Sequence, residues 1–566
     1  MQNELFTRYA KDMDSACPHA YYPRPSMRRE GYTILNGEWD LAISSNETVE
    51  EFNLKITVPF CPESALSGIS RHPTRDEYLH YRRKFDLPDV RVDGRVLLHF
   101  GAVDQECTVY VNGKRAGDNR GGYLPFTLDV TELTRDRDNE LYVRARDTLD
   151  KKYPYGKQTE KRGGMWYTPV SGIWQTVWLE CVPKNAIEGI RVTPYNEGVT
   201  VEVRGGADKK RLTLTDSGEV IEFHGSEVLI EPEEKRLWTP EDPYLYRFTL
   251  ESGEDTVESY FAIRTVDVLD IDGEERICLN GEPYVFNGLL DQGYYSDGLF
   301  TPATIDGYID DIRLAKELGF NMLRKHIKIE PEIFYYLCDE MGIAVFQDMV
   351  NNGGYSFIRD TALPTAGIQR IPDGALNRRR EAREIFTSTM LATAEHLYHH
   401  PSIVYYTIFN EGWGQFRADD AYVTLKRSDP TRVIDSTSGW FRRKKSDVDS
   451  RHIYFKRLKV GKRESGPLVI SEFGGYSYRV SGHLFSEKNY GYRLYDSRES
   501  FEDGFIRLYE DEVLPLVEAG ASAFVYTQLS DVEDETNGLV TYDREVVKVD
   551  RERCRATMQK LYKRDK

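Results

Sequence analysis

The chain has 566 residues, and its 75 Lys plus Arg against 93 Asp plus Glu give a formal net charge of −18. This acidic balance excludes nucleic acid as the main partner, because phosphate binding needs a basic field. The composition is 40% hydrophobic and 30% charged, which excludes wholesale disorder. No run of about 18 apolar residues is present, which excludes a membrane-spanning helix.

The N-terminus and the cysteines bear on the cellular compartment. The first 15 residues contain no apolar segment of a secretory signal, and seven cysteines are spread singly without a C-x-x-C pair. Both features predict a reduced, cytoplasmic protein. No cluster of His, Cys, Asp or Glu has the spacing of a metal site, so no metal is predicted. The sequence leaves open whether the protein forms a homo-oligomer.

Residues 1–182 and 183–266 carry β patterns. In the first region, Asn112-Gly113 follows a β run and predicts a hairpin, since a type I′ turn needs positive φ at both central positions. The second region is shorter, has apolar runs such as 199–203, and matches the size of a small sandwich. We therefore expect two successive β-rich units.

Residues 267–566 alternate apolar β runs with helical periods, as a parallel α/β sheet requires. Eight such units predict a (β/α)8 barrel. The predicted strands are 284–288, 321–326, 343–348, 403–409, 433–436, 452–455, 468–472 and 522–528. Helices are predicted at 305–318, 379–400 and 499–519.

Two glutamates end predicted barrel strands in apolar surroundings. Glu411 follows Asn410 at the end of the fourth strand, and Glu472 ends the seventh. Barrel enzymes place their chemistry at these C-terminal ends. Two facing carboxylates suit glycoside hydrolysis, in which one protonates the leaving oxygen and the other attacks the anomeric carbon or activates water. The alternative is an ion pair at each strand end.

Further segments carry a family resemblance, among them Gly163-Gly-Met-Trp-Tyr-Thr-Pro-Val-Ser-Gly-Ile-Trp174 and Leu279-Asn-Gly-Glu-Pro-Tyr-Val-Phe-Asn-Gly288. With the two glutamate motifs and their order, the chain resembles glycoside hydrolase family 2, the family of β-galactosidases, β-glucuronidases and β-mannosidases. The resemblance implies a sugar-binding-like β jelly-roll sandwich over 1–182, an immunoglobulin-like β-sandwich over 183–266 and a catalytic (β/α)8 TIM barrel over 267–566.

The same resemblance implies roles for individual residues. Glu411 matches the general acid/base and Glu472 the nucleophile of a retaining reaction that needs no organic cofactor. Asn410 matches the residue that holds the sugar 2-hydroxyl. Tyr454 matches a tyrosine that hydrogen-bonds the nucleophile, and Arg324 matches an arginine beside it. A core tyrosine and a structural ion pair are the alternatives for these last two.

Other strand-end residues are candidates for sugar contacts. Trp440 and Tyr526 could equally be core aromatics, Trp413 is expected to line the aglycone side, and Asp291 could serve a turn. His326 comes two residues after the arginine, where the family pattern has three. The full set of further substrate-binding candidates is His326, Asp348, Trp440, Trp413, Tyr526, Gln528 and Asp291.

Basic residues crowd the loops after the second, fifth and sixth predicted strands. They predict a basic rim on the catalytic face that would hold an anionic substrate. The alternative is a solvated loop. The residues are Lys325, Lys328, Arg442, Arg443, Lys444, Lys445, Lys456, Arg457, Lys459, Lys462 and Arg463.

The sequence therefore predicts a three-domain, retaining exo-β-glycosidase acting on a carbohydrate or glycoconjugate, with β-galactosidase as the leading assignment. β-Glucuronidase or another uronidase and β-mannosidase are the alternatives within the family. The Asn-x-Lys pair that binds the sugar carboxylate in β-glucuronidases has no match in the barrel, and Gln347-Asp348 resembles β-mannosidases. A non-catalytic carbohydrate-binding protein and a transglycosidase are alternatives of other classes.

Overall fold

The computed structural model describes residues 5–88, 94–365, 367–368, 372–373, 376–459 and 466–563. Along the chain it contains two β-sandwiches followed by a parallel barrel, which confirms the predicted fold class. Among the described residues, no helix is both long and apolar enough to cross a lipid bilayer.

The N-terminal sandwich packs a four-stranded sheet against a six-stranded one. Side chains from both sheets, such as Leu98 and Val143, share one apolar core. Asn112 and Gly113 have φ of 50° and 74°, which confirms the predicted hairpin. In sheet order the strands are Tyr32–Ile34, Val177–Pro183, Gly94–Phe100 and Phe126–Asp129, and then Leu54–Val58, Gly37–Ser44, Tyr78–Phe85, Asn139–Arg146, Glu106–Val111 and Lys114–Arg120.

The middle sandwich is smaller and antiparallel. Along one of its strands Val199, Val201 and Val203 are buried, since every second side chain points to the core. In sheet order the strands are Ile187–Pro194, Val199–Gly205 and Glu227–Ile230, and then Val220–His224, Lys209–Leu214, Tyr246–Ser252 and Asp255–Phe261.

The barrel has eight parallel strands, hydrogen-bonded in the order fifth, fourth, third, second, first, eighth, seventh and sixth. Between the fifth and sixth strands, side chains make the link: Ser438 Oγ lies 2.9 Å from His452 Nε2 and 3.4 Å from Ser450 Oγ. From first to eighth, the strands are Phe286–Asp291, Met322–Lys325, Ala344–Asp348, Ile403–Asn410, Val433–Ser438, Asp449–Ile453, Leu468–Gly474 and Ala523–Thr527.

Helices cover the outside of the barrel. Alternate strand residues point outward, as Leu323 does, or inward, as Met322 does, so both faces are apolar. The hairpin of Val266–Ile271 and Glu274–Leu279 packs onto the inner cluster. The helices are Asp306–Glu317, Glu332–Met341, Arg380–Leu397, Ala418–Ser428, Arg498–Leu508, Leu514–Glu518 and Arg551–Tyr562, with one turn at Leu363–Thr365.

A loop of the N-terminal sandwich, residues 147–171, lies against the end of the barrel at which the C-termini of the strands emerge. Tyr155 N donates to Asn351 O at 3.1 Å, beyond the third strand. Thr168 N donates to Glu533 Oε1 at 2.8 Å, beyond the eighth. The sandwich therefore contributes one wall to the space above the strand ends.

Candidate active site

Glu411 follows the fourth barrel strand in a turn with left-handed backbone. Its φ is 51°, and that of Gly412 is 74°. A Cβ on Gly412 would lie 2.1 Å from Phe441 Cδ2, so the position accepts only glycine. Glu411 N donates to Ser438 O at 2.9 Å, which ties the turn to the fifth strand. Such backbone conformations at non-glycine residues cluster at functional sites.

Glu472 lies within the seventh strand and is 5% exposed. Both of its carboxylate oxygens accept hydrogen bonds. Arg324 Nη1 donates to Oε1 at 3.1 Å, and Tyr454 Oη donates to Oε2 at 2.7 Å. Tyr454 is also 2.8 Å from Thr527 Oγ1. The structure therefore brings both predicted partners of Glu472 to its side chain.

His452 lies between the two glutamates. Its Nδ1 is 2.8 Å from Glu411 Oε1 and 3.4 Å from Glu472 Oε2, and its Nε2 is 2.9 Å from Ser438 Oγ. Sequence reasoning did not select this residue. Two-residue periodicity could have found it, because His452 lies two positions before Tyr454, which directly follows the strand, and side chains two residues apart on an extended chain face the same way.

The two carboxyl groups are close together. One oxygen of Glu411, one oxygen of Glu472 and one ring nitrogen of His452 all lie within 4.8 Å of one another. Retaining glycosidases hold their carboxyl groups about 5–5.5 Å apart, and inverting enzymes roughly 6.5–9.5 Å apart. The separation therefore matches the retaining arrangement.

The same three residues have the composition of a metal site. Zinc would require ligand atoms about 2.0–2.2 Å from one central point. Here the oxygens of Glu472 already accept from Arg324 and Tyr454, and Glu411 is hydrogen-bonded to His452. These bonds favour proton chemistry over metal binding.

The surroundings shift the pKa values of the two glutamates in opposite directions. Burial is the main cause that raises the pKa of Glu411; the hydrogen bond with His452 offsets part of the rise, and the charge of Glu472 adds to it. Burial also acts to raise the pKa of Glu472, but His452 and Arg324 outweigh it, so that this pKa lies below its ordinary value. The site thus favours the protonated form of Glu411 and the ionised form of Glu472.

Arg324 connects the candidate residues. Its Nε donates to Asp348 Oδ1 at 3.0 Å, and its Nη2 donates to Asn410 Oδ1 at 2.9 Å. Because the arginine occupies the amide oxygen of Asn410, the amide N–H groups are what remain for a ligand. Arg324 is 1% exposed and acts inside the site rather than at its surface.

Asp348 and His326 form the layer behind Arg324. His326 Nδ1 is 2.7 Å from Asp348 Oδ2. Burial opposes ionisation of Asp348, yet Arg324 and His326 lower its pKa to about 2. Burial and the charge of Lys157 lower the pKa of His326 to about 4, so its ring is neutral at neutral pH. Both carboxylate oxygens of Asp348 are therefore hydrogen-bonded, and Asp348 orients the side chains of Arg324 and His326.

The two predicted tryptophans lie at the edge of this group. Trp440 packs edge-on against His452 at 5.5 Å and donates from Nε1 to Asp360 O at 3.2 Å. Trp413 is buried beneath Trp166, with 5.4 Å between the ring centroids. Trp166, from the N-terminal sandwich, is the more exposed ring of the pair. Trp413 thus supports an aromatic wall rather than forming its surface.

Three predicted sugar contacts are wrong. Tyr526 points to the outer face, where its ring meets Phe505 at 4.9 Å. Asp291 accepts from Lys325 Nζ at 2.6 Å and from Gly293 N at 2.8 Å, in an ion pair without free oxygens. Gln528 is fully buried, and its amide bonds the side chains of Gln292, Glu535 and Asn537. Tyr526 was assigned to the wrong face because its strand is apolar on both faces, whereas Asp291 and Gln528 are occupied by polar partners from other parts of the chain.

The predicted basic rim is wrong for four of its residues, which are held in ion pairs. Lys325 and Lys328 are buried with Glu330 between them, at 2.8 and 2.9 Å from its Oε1. Arg442 pairs with Asp449, and Arg443 pairs with Asp373. Exposed positions remain at Lys444, Lys445, Lys456, Arg457 and Lys459, and Lys462 and Arg463 lie outside the described residues.

Three family models match the chain: the glycosyl hydrolase 2 galactose-binding domain-like model over 67–182, the glycosyl hydrolases family 2 model over 189–264 and the glycosyl hydrolases family 2 TIM barrel domain model over 270–560. Together they account for most of the sequence, in the order in which the structure places two sandwiches and a barrel. The chain therefore belongs to glycoside hydrolase family 2.

Individual relatives carry several names. A β-galactosidase of Aeromonas hydrophila subsp. hydrophila is 28% identical over 396 residues, covering 63% of this chain and 36% of that protein. A β-galactosidase of Pseudoalteromonas haloplanktis is 24% identical over 575 residues, covering 90% of this chain and 51% of that protein. The chain thus spans about half or less of the length of these relatives.

Solved structures share the fold. A β-glucuronidase of an uncultured Clostridium sp. aligns with a TM-score of 0.73 at 19% identity, over 96% of this chain and 100% of that one. A β-galacturonidase from Eisenbergiella tayi aligns with a TM-score of 0.66 at 20% identity, over 95% and 98% of the two chains.

Proposed function

We propose that this protein is a retaining exo-β-glycosidase that removes a terminal β-linked sugar from a carbohydrate or glycoconjugate. The observation that carries the proposal is the pair Glu411 and Glu472, with carboxylate oxygens within 4.8 Å and pKa values shifted in opposite directions. A protonated acid beside an ionised carboxylate is the starting state of double displacement.

In the first step, Glu411 gives its proton to the glycosidic oxygen while the bond from that oxygen to the anomeric carbon breaks. A Glu472 oxygen forms the new bond to the anomeric carbon, which gives a covalent glycosyl-enzyme. Arg324 and Tyr454 orient Glu472 through their hydrogen bonds. The Asn410 amide is proposed to donate to the sugar 2-hydroxyl.

In the second step, ionised Glu411 takes a proton from water as the water oxygen attacks the anomeric carbon. The bond to Glu472 breaks, and the sugar leaves with its original configuration. Both glutamates return to their starting protonation states. The steps are complete with side chains of this chain, so no organic cofactor is proposed.

The sugar is proposed to be galactose or a uronic acid, in line with the names of the relatives and of the similar solved structures, and mannose is the remaining alternative. The singly spread cysteines support the cytoplasm as the place of action. A non-catalytic binding protein and a transglycosidase stay as competing functions, and the experiment below separates them.

The test uses 4-nitrophenyl β-glycosides of galactose, glucuronic acid, galacturonic acid and mannose, with Glu411→Gln and Glu472→Gln as matched inactive variants. We expect turnover of at least one glycoside, and proton NMR should show the β-anomer of the sugar first. Sugar binding without any turnover would indicate a binding protein, and an α-anomer would contradict retention. Added methanol should yield only a minor share of methyl glycoside, whereas a transglycosidase would make it the main product.

A further inference from the structure

Lys157 is a cation close enough to Glu411 to act on its charge, and the proposed mechanism does not use it. Its side chain is 8% exposed, and its Nζ lies 5.3 Å from the ring centroid of Trp413 and 5.8 Å from that of Tyr167. Within the described part of the chain, no acceptor oxygen lies at hydrogen-bond or ion-pair distance from this ammonium group. The residue is buried along its stem while its ammonium group keeps access to open space, so a ligand oxygen can reach the ammonium without displacing a protein acceptor.

The backbone holds Lys157 in place. Gly156 has φ of 64°, and a Cβ there would lie 2.9 Å from Ile327 O, so the chain passes close to the residue after His326. Tyr167 N donates to Lys157 O at 3.0 Å. The next side chain, Gln158, accepts from Val170 N at 2.6 Å. The ammonium is therefore carried on a fixed loop beside the second barrel strand.

The other charged side chains near the glutamates already hydrogen-bond to protein groups. Arg324 donates to Asp348, Glu472 and Asn410, which uses its guanidinium within the site. Burial raises the pKa of Glu535, the further acidic neighbour of Lys157, and its carboxyl group accepts from Tyr167. Lys157 is thus left as a cation without a counter-ion at contact distance.

We propose that Lys157 binds a carboxylate carried by the sugar, so that the preferred substrate is a β-uronide rather than a neutral β-hexoside. This inference rests on the proposed function and names the substrate class of the same site. A carboxylate supplies both acceptor oxygens and the missing counter-charge, and a charge-assisted hydrogen bond is roughly twice as strong as a neutral one. The binding group comes from the N-terminal sandwich, whereas the barrel has no Asn-x-Lys pair.

The experiment compares kcat/KM for matched 4-nitrophenyl pairs, galactoside with galacturonide and glucoside with glucuronide. The wild type should prefer the uronide of at least one pair. Lys157→Met should lower kcat/KM about 30-fold more for that uronide than for its neutral partner, which reflects loss of a hydrogen bond to a charged group. Lys157→Arg keeps the charge and should keep the preference. Lys161→Met, an exposed lysine of the same loop, is the control.

A preference for the neutral partners, or an equal loss on both partners in Lys157→Met, would overturn the inference. Absence of turnover with these four glycosides and with the 4-nitrophenyl β-mannoside would contradict the proposed function instead. In that case the inference about Lys157 is tested by calorimetry. Binding of free galacturonate, glucuronate, galactose and glucose is measured with the wild type and with Lys157→Met. Tighter binding of a uronate that disappears in Lys157→Met supports the inference, and equal binding of acid and neutral sugars overturns it.

Discussion

Glu411 and Glu472 are the same side chain in different surroundings, and their neighbours separate their roles. Glu472 faces Arg324 and Tyr454, which both donate hydrogen bonds to it. Glu411 shares a single side-chain hydrogen bond, with His452, and lies close to the negative charge of Glu472. Electrostatic surroundings of this kind turn a matched pair of carboxyl groups into an acid and a nucleophile.

The pH dependence of kcat/KM should follow from these shifts. The proposed mechanism needs Glu472 ionised and Glu411 protonated. Activity should therefore fall in acid only as pH drops through the lowered pKa of Glu472, and fall in alkali as pH rises through the raised pKa of Glu411. With a 2,4-dinitrophenyl glycoside, whose leaving group needs no acid, Glu411→Ala should lose the alkaline limb. An alkaline limb that persists would assign it to another group.

His452 should act as a positioning residue. Its ring lowers the pKa of both glutamates, so His452→Phe should move both limbs of the pH profile upward. We expect kcat/KM at the optimum to fall about 10- to 100-fold, because the carboxyl groups lose a shared anchor. His72→Phe, at an exposed histidine of the N-terminal sandwich, is the control. If activity falls but the pH profile of kcat/KM does not shift, His452 has only a structural role.

The positions of residues in the candidate site were predictable from sequence only where a motif marked them. Glu411, Glu472, Tyr454 and Arg324 lie in or just after barrel strands with recognisable neighbours, and the structure brings all four together. Lys157 carries no such mark, because its position depends on a loop that crosses from another unit of the fold. No local pattern in the sequence reports that contact.

Among the elements, the turn after the fourth barrel strand sets the position of Glu411. Gly412→Ala would place a Cβ 2.1 Å from the Phe441 ring at a residue with φ of 74°. The turn must shift, and a displacement of about 1 Å costs roughly 100-fold in rate. We expect that loss in kcat with retained folding by circular dichroism.

Gly354→Ala is the matched control for this substitution. Gly354 lies in the loop after the third strand, and a Cβ there meets nothing within 4 Å. Its kcat should stay within about twofold of the wild type, because the new methyl group has open space. Equal activity of Gly412→Ala and wild type would mean that the turn does not position the acid.

Barrel strands were predictable as apolar runs, but their first and last residues, and the face on which each side chain lies, were not. The sixth strand was predicted at 452–455 and observed at Asp449–Ile453. Its first residues are polar yet buried, since Asp449 pairs with Arg442 and Arg451, so no apolar run marked them. Tyr526 was assigned to the wrong face because its strand is apolar throughout, which hides the alternation.

Over the whole molecule, the candidate active site is lined by both the N-terminal sandwich and the barrel, which are in contact. An aromatic cluster joins Tyr167 and Trp174 of the sandwich to Tyr294, Phe300 and Ile327 of the barrel. The loop at 147–171 adds Lys157 and Trp166 to the catalytic end. The sandwich is therefore part of the proposed catalytic unit.

A chain reduced to residues 267–566 should accumulate in insoluble form and show no glycoside turnover in its soluble fraction. Truncation exposes the barrel half of the aromatic cluster, and large exposed apolar patches promote aggregation. Sedimentation and the nitrophenyl assay measure the two effects, with full-length Glu472→Gln as the control for yield. A soluble, active barrel would contradict the dependence on the sandwich.

The central claim is that Glu472 becomes covalently bound to the sugar. The direct measurement is intact mass spectrometry and peptide mapping after incubation with a 2,4-dinitrophenyl 2-deoxy-2-fluoro-β-glycoside of the sugar that is turned over. The account predicts one glycosyl group per chain, located on the peptide that contains Glu472, and none in Glu472→Gln. A label on another residue, or turnover of the parent glycoside with no label under any condition, would contradict it.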